Sequence, residues 1–318
     1  MATAAAGVAA ALSPLSGRDY LSSADCSAEE TVALLDLAAQ LKSGDRRIDL
    51  GNRVLGLIFT KASTRTRVSF QVAMARLGGQ TVDLNPSVTQ LGRGEPLEDT
   101  ARVLSRYCDV LAIRTFAQQE LVDYAYWASV PVINALTDLE HPCQALADFL
   151  TMREAHGELA GQTLAYIGDG NNVAHSLMLC GALLGVNVRI GCPEGFEPLP
   201  GVLDQARDLA QHGASIDVIT DPAQAVAGAQ AVYTDVWASM GQETEQAERE
   251  QAFSGFCVDE ALMDQAASDA IVLHCLPAHR GEEISAEVME SVASRIFDQA
   301  ENRLHAQQAL LASLMGGL

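Results

Sequence analysis

The sequence predicts an α/β protein with two domains, each built on a doubly wound parallel sheet. Three observations point to this class. A chain of 318 residues has room for two domains of ordinary size. Short apolar runs alternate with longer helical patterns along almost its whole length. Those runs are continuous rather than alternating in polarity, as expected of strands covered on both faces by helices.

Taken in order, strands are expected over residues 53–60, 80–84, 109–114 and 131–136. In the second half they fall at 163–167, 186–190, 215–219, 231–234 and 270–273. Between them, stretches such as 68–77 and 172–184 place apolar residues three and four apart, which makes a helical face. Pro142 opens a helical run to about residue 156, and Gly157-Glu158-Leu159-Ala160-Gly161 follows as a turn-rich pause. This pause puts the domain junction near 150–160, so the domains are expected at 1–155 and 156–290, with 291–318 as a closing helical segment. The Ala-rich first 15 residues lack the basic start of a signal peptide and the arginines of a transit peptide. They are expected to be a disordered extension.

Composition narrows the function. The chain is 48% hydrophobic and 19% charged, enough to bury a full core. A net charge of −21 argues against nucleic acid, whose binding needs a basic face, and against an anionic membrane surface. No apolar run reaches the roughly 20 residues of a bilayer span. The seven cysteines (Cys26, Cys108, Cys143, Cys180, Cys192, Cys257 and Cys275) are odd in number, and none is paired as Cys-x-x-Cys. That usage fits a reducing cytoplasm better than a disulfide framework or a zinc ribbon. Cys108 and Cys180 sit in apolar runs and read as small core residues.

Ligands of such sheets collect where strands end and helices begin, and the unusual clusters fall there. Ser63-Thr64-Arg65-Thr66-Arg67 joins the first strong strand to a helix. Ser63 and Thr64 suit a helix cap, the helix start attracts an anion, and Arg65 adds a planar fork matched to phosphate oxygens. An ordinary capped helix with surface arginines is the alternative. The missing P-loop glycines make the anion a small one rather than a nucleotide. His141-Pro142-Cys143-Gln144 marks a second strand-to-helix junction. There Pro142 suits the first helical turn, and His141 either caps the helix or donates to a carbonyl oxygen. Arg114 ends the strand at 109–114, as a surface terminator or, since it shares this edge, as a site residue.

In the second half, Gly168-Asp169-Gly170-Asn171-Asn172 after a strand resembles the opening of a dinucleotide site, which would make the protein an oxidoreductase. That signal lacks its third glycine, with Val173 in its place, and the ribose-binding acid after the next strand. Asn171 and Asn172 suit either an amino-acid ligand or a helix cap. Asp235-Val236-Trp237-Ala238-Ser239-Met240-Gly241 offers a carboxylate for an ammonium group, or is a polar loop with Trp237 and Met240 as core plugs. His274-Cys275-Leu276-Pro277 invites a nucleophile or metal reading. Neighbours on a strand face opposite ways, and a full ligand set is missing.

Together, Ser63-Thr64-Arg65-Thr66-Arg67, Gln90-Leu91-Gly92-Arg93-Gly94-Glu95, His141-Pro142-Cys143-Gln144, Gly168-Asp169-Gly170-Asn171-Asn172, Asp235 to Gly241, His274-Cys275-Leu276-Pro277 and Glu301-Asn302-Arg303 occur in a telling order. Over about residues 20–318 the chain resembles the ornithine carbamoyltransferases of the aspartate/ornithine carbamoyltransferase family. The resemblance implies transfer of a carbamoyl group from carbamoyl phosphate to L-ornithine, giving L-citrulline for arginine biosynthesis. It implies that Ser63, Thr64, Arg65, Thr66, Gln90, Arg114, His141, Gln144 and Arg303 hold carbamoyl phosphate, with Cys275 and Leu276 lining the reacting centre. Asn172, Asp235, Ser239 and Met240 would hold ornithine. Arg65 and His141 would stabilise the developing oxyanion, Asp235 would orient the amine, and Cys275 would receive its proton or tune the site. It further implies a cytoplasmic homotrimer or a multiple of trimers, no cofactor and no metal, and a C-terminal helix (around 291–314) that packs on the first domain. Putrescine or an acetylated ornithine as acceptor, or a non-catalytic relative, are the alternatives; the Ser239-Met240-Gly241 run and the complete set of site residues argue against them.

Overall fold

The computed structural model describes residues 2–85, 94–238 and 246–318. They form two compact units: Met1–Ala147 with Glu301–Leu318, and Asp148–Ala300.

The first unit carries β1 (Val54–Phe59), β2 (Gln80–Leu84), β3 (Val110–Arg114) and β4 (Val132–Leu136) as a parallel sheet in the order β2-β1-β3-β4. Its helices are α1 (Ala2–Leu12), α2 (Ala28–Ser43), α3 (Arg65–Arg76), α4 (Leu97–Leu104), α5 (Gln118–Trp127) and the start of α6 (Pro142–His156). β3 is buried at every position and β1 at all but its first, as its continuous apolar sequence requires. From β1 the chain first builds outward to β2 and then returns to β3 on the other side. This reversal leaves a crevice beyond the ends of β1 and β3, where Phe59 and Arg114 stand side by side in register.

The second unit carries β5 (Thr163–Ile167), β6 (Asn187–Gly191), β7 (Ile216–Ile219), β8 (Ala231–Thr234) and β9 (Ile271–His274), again all parallel, in the order β7-β6-β5-β8-β9. The remainder of α6, α7 (Asn172–Leu183), α8 (Pro200–Leu209), α9 (Pro222–Val226), α10 (Gln246–Ala252), α11 (Glu260–Met263), α12 (Ala286–Met289) and the first turn of α13 (Ile296–Leu314) belong here. The same reversal lies between β5 and β8, with Ile167, Thr234 and His274 level across three strands.

Three expectations need correction. The first 15 residues are not a disordered extension. Residues 2–12 form α1, and Leu12 and Leu15 are fully buried. Alanine is the best helix former, and Val8, Leu12 and Leu15 at four- and three-residue spacing give that helix an apolar side. The boundary also falls earlier than 155, inside α6, between Ala147 and Asp148. Gln144 in its first turn bonds Arg303 of the first unit, whereas Asp148 accepts from Gln299 of the second at 2.6 Å. The last helix starts at Ile296 rather than near 291, and it joins the first unit from Glu301 onward. There the Gly17 N–H donates to the Leu314 carbonyl at 2.9 Å and Lys42 Nζ to Asn302 at 2.8 Å.

Candidate active site

In the first unit, three groups converge on the reversal between β1 and β3. The loop after β1 leads through Ser63 and Thr64 into α3. Thr64 occupies the cap position but has helical dihedrals and makes no side-chain cap bond. The capping expected of this pair is thus not made, and the first N–H groups of α3 are left to whatever approaches them. Arg65, the first helical residue, is exposed. Arg67 turns away, pairing with Asp83 on β2 and lying over the Phe59 ring, so its charge is spent on the fold.

Arg114, buried at the end of β3, donates from Nη1 to the Ser63 hydroxyl at 3.4 Å. Arg303 on α13 is buried and donates to the Gln144 side-chain oxygen and to the Thr66 hydroxyl. Five of the expected residues are thereby linked into two chains of contacts. His141 lies immediately before α6 and is buried. Burial, and then Arg303, Arg114 and Arg65, hold its ring well below the usual histidine pKa, so it is a neutral imidazole at physiological pH. Three guanidiniums that act on one buried ring make this corner positive in a chain of net charge −21. At physiological salt the wider negative field is screened beyond about 8 Å.

In the second unit the reversal between β5 and β8 gathers Asn171, Asp235 and Cys275 from the loops after three adjacent strands. Asn171 caps α7, its Oδ1 accepting from the Val173 and Ala174 N–H groups at 2.9 and 3.2 Å. Its Nδ2 donates to the Asp235 carboxylate at 3.1 Å. Cys275 Sγ donates to the other oxygen of Asp235 at 3.0 Å. Asp235 is thus a buried carboxylate fed by an amide and a thiol, a natural partner for an ammonium group.

His274 is committed to other partners. Its Nδ1 accepts from the Leu276 N–H at 2.8 Å, which leaves Nε2 to donate to buried Glu283 at 3.1 Å. Both ring nitrogens are committed, so His274 fits neither a dyad with Cys275 nor a metal, although ligand atoms of Asp235, His274 and Cys275 come within 4.8 Å of one another. Leu276 follows with φ +60° and a cis bond to Pro277, and it packs on the core of this unit.

The glycines of the dinucleotide-like loop have a different use. A Cβ on Gly170 would meet Pro198 N at 2.2 Å and Glu197 C at 2.4 Å. The close approach that a pyrophosphate would exploit is already taken by the chain's own backbone at 196–198.

Comparison with known proteins agrees with this geometry. The family model described as "Aspartate/ornithine carbamoyltransferase, carbamoyl-P binding domain" matches residues 18–154. The one described as "Aspartate/ornithine carbamoyltransferase, Asp/Orn binding domain" matches residues 160–314. The chain belongs to the aspartate/ornithine carbamoyltransferase family. Among its relatives, the ornithine carbamoyltransferase of Parasynechococcus marenigrum (strain WH8102) is 90% identical over the whole of both chains. The solved ornithine carbamoyltransferase from Gloeobacter violaceus is 56% identical with a TM-score of 0.86, covering 94% of this chain and 98% of its own. That from Pyrococcus furiosus is 50% identical with a TM-score of 0.91, covering 96% and 99%.

The carbamoyl-P binding domain thus holds Ser63, Arg65, Thr66, Arg114, His141 and Gln144, and the Asp/Orn binding domain holds Asn172, Asp235, Cys275 and Leu276. Gln90, Ser239 and Met240 lie outside the described residues. Sequence reasoning weighed Asn171 and Asn172 and carried Asn172 forward as the ligand residue; Asn171, the cap of α7, meets Asp235. It missed Gln299, fully buried, which donates to Asp148 and accepts from the His274 N–H at 2.8 Å, and it missed Arg249. No helix among the described residues is long and apolar enough to cross a membrane.

Proposed function

We propose that this chain transfers the carbamoyl group of carbamoyl phosphate to the side-chain amine of L-ornithine, giving L-citrulline and phosphate. The observation that carries the reading is the pairing of two unlike centres on one family fold: an arginine-rich corner with uncapped helical N–H groups, and a buried carboxylate fed by Asn171 and Cys275. The first suits a small phosphate ester and the second a cationic amine.

In this reading Ser63, Thr64, Arg65, Thr66, Gln90, Arg114, Gln144 and Arg303 hold the phosphate and carbamoyl groups. Arg65 and the neutral His141 donate to the carbonyl oxygen as charge develops on it, a type of stabilisation worth several kcal/mol in comparable sites. Asn172, Asp235, Ser239 and Met240 hold ornithine, and Cys275 and Leu276 line the reacting centre.

The amine must attack in its neutral form. A side-chain amine with a solution pKa of about 10.4 costs about 4–5 kcal/mol to present neutral at pH 7. Asp235 orients it as an ammonium; one proton is lost to solvent past the Asp235–Cys275 pair before attack, the C–O bond to phosphate breaks as the C–N bond forms, and the second proton shed by the attacking nitrogen leaves with the phosphate. Nothing in this sequence of steps calls on a redox cofactor or a metal. We further propose a cytoplasmic homotrimer or a multiple of trimers serving arginine biosynthesis, which rests on the family resemblance; light scattering on the purified chain tests the oligomer.

The test of the reaction is turnover by the purified chain with carbamoyl phosphate and, in parallel, L-ornithine, aspartate, putrescine and N-acetylornithine. Turnover with ornithine alone, lost in Arg65→Ala and Asp235→Asn, is the expected result. Turnover with another amine would retain the reaction class and overturn the acceptor.

A further inference from the structure

Arg249 is a buried cation with no part in the chemistry above. It lies on α10 and is 7% exposed; its partner Asp169, in the loop after β5, is 8% exposed. A single nitrogen, Nη1, donates both to Asp169 Oδ2 and to the main-chain oxygen of Trp237, each at 2.8 Å. The two acceptors stand on the two loops that flank the reversal between β5 and β8. Asp169 is two residues before Asn171, and Trp237 is two residues after Asp235. The guanidinium also lies over the Phe196 ring at 5.1 Å. Phe196 meets Phe253 edge-on at 4.9 Å, and Trp237 stacks on Phe253 at 5.6 Å. Phe196 also takes the Gly170 N–H on its carbonyl at 2.8 Å. The cation is therefore braced from behind by aromatic groups attached to both loops.

We propose that Arg249 is a positioning residue for the amino-acid substrate: it ties the loop carrying Asn171 and Asn172 to the loop carrying Asp235, and so sets the affinity for that substrate without touching it. Either loop can shift only by breaking a bond to the same nitrogen. Lysine preserves the charge, but as a point donor on a flexible stem it lacks the planar fork that lies over Phe196. Arg249→Lys therefore tests position separately from charge. Asp169→Asn retains the shape and removes the ionic half of the pair.

The inference rests on the function proposed above, and the experiment separates the two. Wild-type, Arg249→Lys and Asp169→Asn proteins are assayed for kcat, for KM of L-ornithine and of carbamoyl phosphate, and for thermal midpoint. Each is also titrated calorimetrically with L-ornithine in the presence of inorganic phosphate, which has no carbamoyl group to transfer. The expected result is a rise of about tenfold or more in the ornithine KM and the ornithine Kd of both variants, with the carbamoyl phosphate KM within twofold of wild type. Unchanged ornithine KM in either folded variant would overturn the proposal, as would equal losses for both substrates. If Arg249→Lys does not fold, Asp169→Asn decides by the same criteria. A wild-type protein that makes no citrulline refutes the function itself, and the ornithine titrations then judge Arg249 alone.

Discussion

Replacing Asn171 with Ala probes the amine-binding centre at its most connected point, because one side chain serves the helix, the carboxylate and a buried phenol. The cap onto Val173 and Ala174 is worth about 1 kcal/mol. The bond to the Asp235 carboxylate is worth about 1.5–3 kcal/mol, and the buried Tyr166 hydroxyl, which donates to Asn171 at 3.3 Å, loses its partner at a cost of about 1–3 kcal/mol. Contacts that share a side chain are not additive, so the low end of the sum, about 3–4 kcal/mol, is expected. In a unit of this size each kcal/mol moves the melting midpoint by about 2–4 °C, and calorimetry should find a fall of roughly 10 °C. Asn171→Asp is the informative companion. It retains an oxygen for the cap but sets a second carboxylate against Asp235, where the amide now approaches to 3.1 Å. At an effective dielectric of 20 that repulsion is on the order of 5 kcal/mol before a proton relieves it. One carboxyl of the pair must then titrate above its unfolded value, so the stability deficit is largest above that raised pKa and shrinks as pH falls through it. An Asn171→Ala midpoint within about 2 °C of wild type, or an Asn171→Asp protein with no deficit at pH 8, would refute the reasoning.

Other outcomes follow from the same contacts. Gly170→Ala should cost about 3 kcal/mol or more, since the added Cβ meets backbone at 196–198 that cannot swing aside; a thermal melt reads it, and a shift under 2 °C would contradict the packing. Tyr233→Phe should be neutral or stabilising, because the Tyr233 hydroxyl is buried without a hydrogen-bond partner among the described residues and its removal ends that penalty; a loss above about 1 kcal/mol by urea denaturation would show an unrecognised role. Burial is the leading cause lowering the pKa of both His141 and His305, so the unfolded chain binds more protons below the free-histidine value. Stability should therefore hold above pH 7 and fall as pH drops through about 6.5, by at most about 1.4 kcal/mol per pH unit for each histidine; His141→Gln should flatten the slope, and an unchanged slope would contradict the assignment.

Most strands were legible because burial on both faces demands unbroken apolar runs, the edge strands β2 and β7 being the more exposed and polar ones; the nine expected segments coincide with β1–β9 to within a residue or so at each end. The positive corner of the first unit was legible too, since Ser63, Arg65, Arg114 and His141 all lie at or just after the ends of β1, β3 and β4. The junction inside α6 was not, because helical periodicity runs through residues 147 and 148 without interruption, and only the partners of Gln144 and Asp148 reveal the change of unit. α1 was hidden by composition: an alanine tract looks like filler until Leu12 and Leu15 are seen in the core. Arg249 follows a run of Gln and Glu residues that resembles a solvated helix face, and nothing local indicates that this one charge is buried.

The most direct test of the central claim follows the transferred atom. Purified chain is given carbamoyl phosphate labelled with 13C in its carbamoyl group together with L-ornithine, and the products are read by 13C NMR while phosphate is measured in parallel. The account predicts one labelled citrulline per phosphate released above the enzyme-free rate, and no such signal with Arg65→Ala. Phosphate released without labelled citrulline, or label that remains in carbamoyl phosphate and its breakdown products, would contradict it.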